Sequence, residues 1–248
     1  MTLKLPPIIG HRGAARFAPE NTLESIHTAH DMGLTWVEFD VKLTKDSVPI
    51  LMHDDTLERT TNGSGNVADY TYAQICELEC GQWFSSGFAG IKIPTLLETL
   101  DVLLNKNMGA NIEIKPCAGR EIETAEVVMD VLTQSWDEMD TLLISSFSYV
   151  TLETCKDMAP DFARGFLMES EWAENWKELS EYLEVSTYNI DGRTVTREQV
   201  EEIMDLQKPI LAYTINDPML ARTLRAWGVD SVFTDDPETI NNSLFRKH

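Results

Sequence analysis

The sequence predicts an α/β protein that folds as a (β/α)8 barrel of the TIM type, with a small cap insertion after the third strand. Three observations support this fold class. Short apolar runs alternate with amphipathic stretches, which is typical of a parallel sheet covered by helices. The 248 residues suit a single barrel of this type. No glycine-rich nucleotide-binding motif follows the first strand, which disfavours the nucleotide-binding α/β folds.

The predicted strands and helices alternate from one end of the chain to the other. Strands are predicted over 7–11, 36–41, 49–53, 111–115, 142–147, 163–168, 185–190, 210–215 and 231–234. Amphipathic helices are predicted over about 22–32, 95–107, 120–134, 149–158, 172–182, 196–206 and 217–227. Several of these helices follow a residue type that caps helix N-termini well, and the expected caps are Asn21, Thr95, Ser148 and Thr196.

Nine predicted strands exceed the eight positions of the barrel, and a hairpin accounts for the extra one. The polar residues 44–47 are too few for a helical crossover, but they suit a turn between antiparallel strands. If Leu43 faces Val48, the register places Glu38 opposite His53. A carboxylate would then lie beside an imidazole.

Residues 54–94 interrupt the alternation and are rich in turn residues, with one short helix predicted near 72–79. Insertions after a barrel strand lie over the face that holds the active site. We therefore expect a small cap over the barrel mouth, in which Trp83 and Phe84 either wall the pocket or pack within the cap. Residues 1–248 are expected to form one barrel domain that includes this cap.

The charge and the cysteines limit the partners. Lys and Arg number 20 against 41 Asp and Glu, which gives a net charge of −21. This field repels nucleic acid and anionic lipid, so neither is an expected partner. The N-terminal residues lack the apolar run of a signal peptide, and the four cysteines form no zinc-binding pattern. The expected location is the cytoplasm, without stable membrane association.

Polar side chains follow the predicted strands at their carboxyl ends, where barrels of this type hold their chemistry. Glu38 and Asp40 have the two-residue spacing that turns both to one face of a strand, and so do Glu113 and Lys115. Three inward carboxylates and a lysine must be paired or must bind a cation. Carboxylate oxygens favour Mg²⁺ or Ca²⁺. The alternative is a carboxylate network with Arg or Lys that only holds the barrel closed.

Two histidines, His11 and His53, also end predicted strands, and a charged residue follows each of them. A single histidine in such a place is most often a hydrogen-bonded core residue. Two of them are better interpreted as an acid/base pair, in which one group takes a proton and the other gives one. Arg12 and Lys115 can donate hydrogen bonds to an anionic oxygen. These groups together indicate phosphoryl transfer.

The motifs themselves resemble the glycerophosphodiester phosphodiesterase family, most closely its cytoplasmic bacterial members. The resemblance covers the first half of the chain through HRGAARFAPENT, VEFDVKLTKDSVPILMHDDTLERTTNG, CGQWF, IPTL and NIEIKP. It extends nearly to the C-terminus through SSFS, AYTIN and VDSVFTDDP. Tyr213 and Ser231 depart from residues that are common in the family, which bears on substrate preference rather than on the reaction.

The resemblance implies a barrel with a bound divalent cation, Mg²⁺ or Ca²⁺, that hydrolyses glycerophosphodiesters such as glycerophosphocholine or glycerophosphoethanolamine. The products would be sn-glycerol 3-phosphate and an alcohol, with or without a cyclic phosphate on the way. The matching positions imply acid/base catalysis by His11 and His53, phosphate binding by Arg12 and Lys115, and metal binding by Glu38, Asp40 and Glu113. The headgroup preference and the oligomeric state stay open.

Three other functions remain as alternatives. One is a phospholipase on the same barrel that acts on intact lipid, which the net charge of −21 disfavours. Another is a barrel that binds phosphate compounds without catalysis. The third is a metal-dependent lyase or aldolase that uses the same carboxylates, and only a product assay separates it from a phosphodiesterase.

Overall fold

The computed structural model describes residues 2–245 and has nine strands in that range. They are Ile8–Gly10 (β1), Trp36–Leu43 (β2), Pro49–Leu51 (β3), Gly109–Ile114 (β4), Leu142–Ser146 (β5), Ala163–Met168 (β6), Thr187–Asp191 (β7), Ile210–Tyr213 (β8) and Ser231–Thr234 (β9). Eight of them pair in parallel in the order β1-β9-β8-β7-β6-β5-β4-β2, and β1 pairs with β2 to close the barrel. The predicted (β/α)8 barrel is confirmed.

The helices lie between the strands as predicted, with differences at some ends. They are Leu23–Asp31 (α1), Tyr72–Ile75 (α2), Leu96–Lys106 (α3), Glu121–Ser135 (α4), Tyr149–Met158 (α5), Trp176–Tyr182 (α6), Arg197–Met204 (α7), Pro218–Trp227 (α8) and Pro237–Phe245 (α9). The sequence did not predict α9, and α6 begins four residues later than expected. Within residues 2–245, no helix combines the length and the apolarity that crossing a membrane requires.

The helix caps agree with the prediction at Thr95, Ser148 and Thr196, and disagree at Asn21. Thr22 caps α1, because its side chain accepts a hydrogen bond from the backbone N–H of Ser25. Asn21 instead has a left-handed backbone, with φ of 55°, and points its amide at Asp40. The residue that was expected to start a helix therefore supports the centre of the barrel mouth.

The hairpin between β2 and β3 exists, but the predicted register is wrong by one residue. Leu43 pairs with Pro49 and Val41 pairs with Leu51, so Leu43 does not face Val48. The side chain of Thr44 accepts a hydrogen bond from the backbone N–H of Val48 and fixes the longer turn. β3 lies outside the barrel and ends before His53, which follows it towards the barrel mouth.

Apolar side chains alternate with polar ones along the central strands. Ile112 and Ile114 of β4 are fully buried in the apolar layer between barrel and helices, as predicted. On the inner face, a group of apolar side chains fills the lower barrel: Ile9, Trp36, Leu143, Leu211 and Phe233. Since the lower barrel is closed by this packing, the polar residues of the inner face concentrate at the carboxyl ends of the strands.

Residues 54–94, which we call the cap, contain short helical turns at Val67–Asp69 and Ser86–Phe88 in addition to α2. It has a small apolar cluster of its own that joins β3: Ile50, Met52, Leu57, Val67, Ile75, Cys80 and Ile93. Two ion pairs connect the cap to the rest of the protein. Lys42 donates to Asp55 at 2.6 Å, and Arg59 pairs with Glu20 at 2.7 Å.

The turn after β1 needs two consecutive residues with positive φ, Arg12 at 51° and Gly13 at 87°. The Arg12 backbone N–H donates to Glu38 at 2.9 Å, and its carbonyl oxygen accepts from the hydroxyl of Ser25. A β-carbon at Gly13 would lie 1.8 Å from the Ser25 hydroxyl oxygen and 2.7 Å from its backbone carbon. Only glycine fits here without moving α1.

Gly13→Ala should therefore lower the free energy of unfolding by more than about 3 kcal/mol, because backbone strain of about 1–3 kcal/mol adds to the overlap with Ser25. Gly33→Ala is the matched control. Gly33 has φ of 86°, but a β-carbon there meets no atom within 4 Å, so only the strain of about 1–3 kcal/mol applies. Urea unfolding of both variants measures the difference, and equal losses would show that the contact with Ser25 has no effect.

Candidate active site

The seven polar residues predicted from the strand ends meet at the carboxyl end of the barrel. A cavity of about 220 Å³ opens there. Six of the seven line it: His11, Arg12, Glu38, His53, Glu113 and Lys115. Asp40 is 1% exposed and lies against Arg12 and Lys115. The inward orientation that the two-residue spacing predicts for β2 and β4 is confirmed.

His11 follows β1 and is held from the side opposite the cavity. Its Nδ1 lies 2.6 Å from Oδ1 of Asp235, which follows β9. Asn216 donates to the other oxygen of Asp235 at 2.7 Å. Although burial alone would raise the pKa of Asp235, the hydrogen bonds from His11 and Asn216 lower it below its ordinary value. The remaining ring nitrogen, Nε2, lies 3.4 Å from the hydroxyl of Thr214 and 3.9 Å from Glu38.

His53 has the same arrangement on the opposite side. Its Nδ1 lies 2.6 Å from Oδ1 of Asp54, and its Nε2 lies 2.8 Å from Nζ of Lys115. Burial lowers the pKa of His53, and the positive charges of Arg12 and Lys115 lower it further. A charged lysine can only donate, so Nε2 accepts its hydrogen bond and Nδ1 carries the proton that Asp54 accepts. These contacts are those of a neutral imidazole whose Nε2 carries no proton.

Each histidine therefore has an aspartate at Nδ1 and presents Nε2 to the interior. This arrangement fixes the ring orientation and the tautomer of an acid/base histidine. In the sequence, Asp54 was noted only as the charged residue that follows His53, and Asp235 was not identified. Its position could have identified Asp235 as a site residue, since it directly follows the last barrel strand.

The acidic centre consists of Glu38, Asp40 and Glu113, whose carboxylate oxygens lie within 4.8 Å of one another. Burial raises the pKa of Glu38 well above its ordinary value, and the charges of Asp40 and Glu113 add to this. Burial and the charge of Asp40 raise the pKa of Glu113 to about 7. Asp40 differs, because Arg12, Lys115 and the Asn21 amide outweigh its burial and lower its pKa.

Two basic side chains oppose this acidic centre. Lys115 donates to Glu113 at 3.2 Å, and Nε of Arg12 lies 3.3 Å from Asp40, an ion pair without hydrogen-bond alignment. Arg12 also donates to Glu20 at 2.7 Å, which divides its charge between two carboxylates. Two basic side chains therefore face three buried carboxylates. The three hard oxygen donors fit a divalent cation such as Mg²⁺ or Ca²⁺.

A chain of ion pairs joins Arg12 to His53 through the cap. Glu20 accepts from Arg12 and from Arg59, which in turn forms two hydrogen bonds to Asp54 at 2.6 and 2.9 Å. The hydrogen bond from Arg59 is the main cause of the strongly lowered pKa of Asp54, and it outweighs the opposing effect of burial. Arg59 was not identified from the sequence, because it lies in a loop without a periodic pattern.

The rest of the cavity wall comes from the second half of the barrel. Buried amides and a hydroxyl form its floor, where Asn111 donates to Ser145 at 2.8 Å. Phe147 and Tyr213 form an edge-to-face pair beside it, with ring centroids 5.9 Å apart. Trp83 and Phe84 are not among the lining residues described, and they pack with each other in the cap at 5.7 Å. Of the two interpretations of Trp83 and Phe84, the structure supports packing within the cap.

Comparisons with known proteins agree with this geometry. A model of the glycerophosphoryl diester phosphodiesterase family matches residues 11–239. The chain is 34% identical over 241 residues to a glycerophosphodiester phosphodiesterase of Caldanaerobacter subterraneus, covering 97% of this chain and 98% of that protein. It is 32% identical over 246 residues to a glycerophosphodiester phosphodiesterase of Bacillus subtilis, covering 93% and 83%.

Solved structures resemble the fold over its whole length. An Oleispira antarctica phosphodiesterase in complex with the product sn-glycerol-3-phosphate has 39% identity and a TM-score of 0.94, covering 98% of both chains. A glycerophosphodiester phosphodiesterase from Agrobacterium tumefaciens has 29% identity and a TM-score of 0.78, covering 97% of this chain and 99% of that one.

Binding of Ca²⁺ or Mg²⁺ should tighten as the pH rises from about 6 to about 8. The pKa of Glu113 is raised to about 7, so below that pH a proton competes with the cation for this carboxylate. Isothermal titration calorimetry of the metal-free protein at both pH values measures the effect.

Glu113→Gln should weaken cation binding at the higher pH by at least about tenfold and should flatten its pH dependence, since a neutral amide replaces the titrating group. Glu126→Gln, at an exposed position on α4, is the matched control and should leave both unchanged. An unaltered affinity in Glu113→Gln would exclude Glu113 as a ligand.

Proposed function

The chain belongs to the glycerophosphoryl diester phosphodiesterase family, and on this premise we propose that it hydrolyses glycerophosphodiesters to sn-glycerol 3-phosphate and an alcohol. Deacylated phospholipids such as glycerophosphocholine and glycerophosphoethanolamine are the proposed substrates. The single observation that supports this function best is the pair of aspartate-held histidines, His11 and His53, at one cavity with three buried carboxylates.

Hydrolysis breaks one phosphorus–oxygen ester bond and therefore needs two proton transfers. A base takes the proton of the attacking oxygen, and an acid gives a proton to the alcohol oxygen that leaves. We assign the base to His53, because its Nε2 accepts the hydrogen bond of Lys115 and burial lowers the pKa of this imidazole. We assign the acid to His11, because Asp235 lies 2.6 Å from its Nδ1 and orients the ring, which lines the cavity.

Arg12 and Lys115 are the proposed phosphate contacts. Lys115 donates to Nε2 of His53 at 2.8 Å in this structure, so it covers the nitrogen that must accept the proton. A phosphate in the cavity competes for the lysine, since a charged oxygen is a stronger acceptor than a neutral imidazole. We infer that substrate binding draws Lys115 away and thereby frees the base.

Glu38, Asp40 and Glu113 are the proposed ligands of a divalent cation, Mg²⁺ or Ca²⁺. When bound, the cation would supply positive charge to the phosphate oxygens as negative charge grows on them. Arg12 then holds Asp40 ionised from the other side, where its Nε lies 3.3 Å away. The family model matches residues 11–239, which supports our proposal that the chain forms one catalytic domain. The cytoplasmic location stays a prediction.

The assay that tests this function measures sn-glycerol 3-phosphate released from glycerophosphocholine, with added Mg²⁺ or Ca²⁺ and with EDTA. We expect release with metal and its loss with EDTA. A folded protein that binds glycerophosphocholine without release would instead be a binding barrel, and release of a different product would indicate a lyase. Cleavage of intact lipid vesicles as fast as of glycerophosphocholine would indicate a phospholipase.

His11→Ala and His53→Ala should each lower kcat by roughly 10²–10⁴-fold, as removal of a general acid or base does. Both side chains lie at the surface of the cavity rather than in the apolar core, so thermal unfolding should change little. His27→Ala, at an exposed position on α1, is the control and should keep the wild-type kcat. Near-full activity in either variant would refute the role of that histidine.

A further inference from the structure

A second cavity adjoins the catalytic cavity beyond the ends of β5 and β6. Its volume is about 370 Å³, which exceeds the ~30 Å³ share of a water molecule more than tenfold. Phe147 and Leu167 line both cavities, so the two spaces share a wall. The late start of α6 at Trp176 leaves residues 169–175 as a loop around the second space.

Five of the ten residues that line this second cavity are aromatic, and we name it the aromatic groove: Phe147, Tyr149, Phe166, Trp172 and Trp176. Trp172 and Trp176 meet edge to face with centroids 5.1 Å apart, and Tyr149 lies 6.3 Å from Phe166. Tyr149 is 47% exposed, and Trp172 is half-buried. Tyr149 and Trp172 are therefore accessible to a bound molecule, whereas Phe166 and Trp176 belong to the buried core.

Two carboxylates, Glu169 and Glu171, lie at the same groove and are exposed. The basic residues of the adjoining segments pair elsewhere, Lys177 with Glu202 at 3.1 Å and Arg193 with Asp191 at 3.2 Å. Lys177 also lies 5.2 Å from the ring of Trp176, so the aromatic surface already attracts a cation of the protein itself. The negative charge of the groove is not neutralised by these neighbours.

The geometry points to a binding site for a cationic alcohol, which rests on the proposed function because that alcohol is the headgroup of the diester. A quaternary ammonium group is attracted by the faces of Trp and Tyr rings and by nearby carboxylates, and it needs no hydrogen-bond partner. The aromatic groove offers these two features, and no lysine or arginine is among the ten described residues that line it. The structure therefore assigns the groove to the trimethylammonium end of a choline diester.

The position of the groove relative to the phosphate contacts agrees with this assignment. Nζ of Lys115 lies 5.9 Å from the centroid of Phe147, the ring that both cavities share. In a choline diester, only a two-carbon chain separates the ester oxygen from the nitrogen. A phosphate at Lys115 thus places the nitrogen near Phe147, the ring that lines both cavities.

The test compares two diesters in the full-length protein with metal: glycerophosphocholine, and glycerophosphoglycerol with its uncharged headgroup. Trp172→Leu keeps apolar volume but removes the ring, and it should lower kcat/KM for glycerophosphocholine by about 5- to 30-fold. The kcat/KM of this variant for glycerophosphoglycerol should stay within about twofold of the wild-type value. The double variant, Glu169→Gln with Glu171→Gln, should also lower kcat/KM for glycerophosphocholine. The decrease should be larger at low salt, because salt screens the attraction between the carboxylates and the ammonium group.

Trp83→Leu is the matched control, since this tryptophan is 41% exposed in the cap and lines neither cavity described here. It should leave both substrates unchanged. If the groove variants alter both substrates equally, or neither, the assignment to a cationic headgroup is overturned. If the wild-type protein hydrolyses neither diester, the proposed function fails instead. Inhibition of glycerophosphoglycerol hydrolysis by tetramethylammonium, weakened in Trp172→Leu, gives a second readout.

Discussion

The burial of three carboxylates at one point of the barrel mouth is the constraint on which the rest of the site depends. Glu38, Asp40 and Glu113 lie within reach of a single ion, and each would be strongly destabilising there without compensation. Arg12 and Lys115 supply part of that compensation. The strained turn that holds Arg12 follows from the same need, because its backbone N–H also serves Glu38. Two basic side chains thus face three buried carboxylates, whose hard oxygen donors fit a divalent cation.

Sequence periodicity predicts the barrel and the centre of the site because both follow from local rules. A two-residue spacing turns Glu38 with Asp40, and Glu113 with Lys115, to one face of a strand, and the structure has them there. The hairpin register was missed by one residue because it depends on how Thr44 closes the turn, which the pattern of apolar residues does not encode. Asn21 was misassigned because Asn serves equally as a helix cap and as a partner for a buried carboxylate. Arg59 and Asp235 depend on contacts between distant segments.

The two histidines owe their chemistry to the residues behind them. His11 and His53 lie on different segments, yet each has an aspartate 2.6 Å from Nδ1. The aspartates are themselves fixed, Asp235 by Asn216 and Asp54 by Arg59. Because Arg59 belongs to the cap and also binds Glu20, the cap orients a proposed catalytic group without lining the cavity. This explains how an insertion outside the barrel can matter to the reaction.

The barrel mouth is thus divided into a charged half and an aromatic half. The ends of β1, β2 and β4 bring the carboxylates, the arginine and the lysine, all within the first half of the chain. The ends of β5, β6 and β8 bring Phe147, the loop with Trp172, and Tyr213. The phosphate is the same in every glycerophosphodiester, whereas the alcohol differs from one to the next. With the proposed roles, residues that act on the phosphate keep one arrangement, while the proposed selectivity for the alcohol resides in loops that leave the charged half undisturbed.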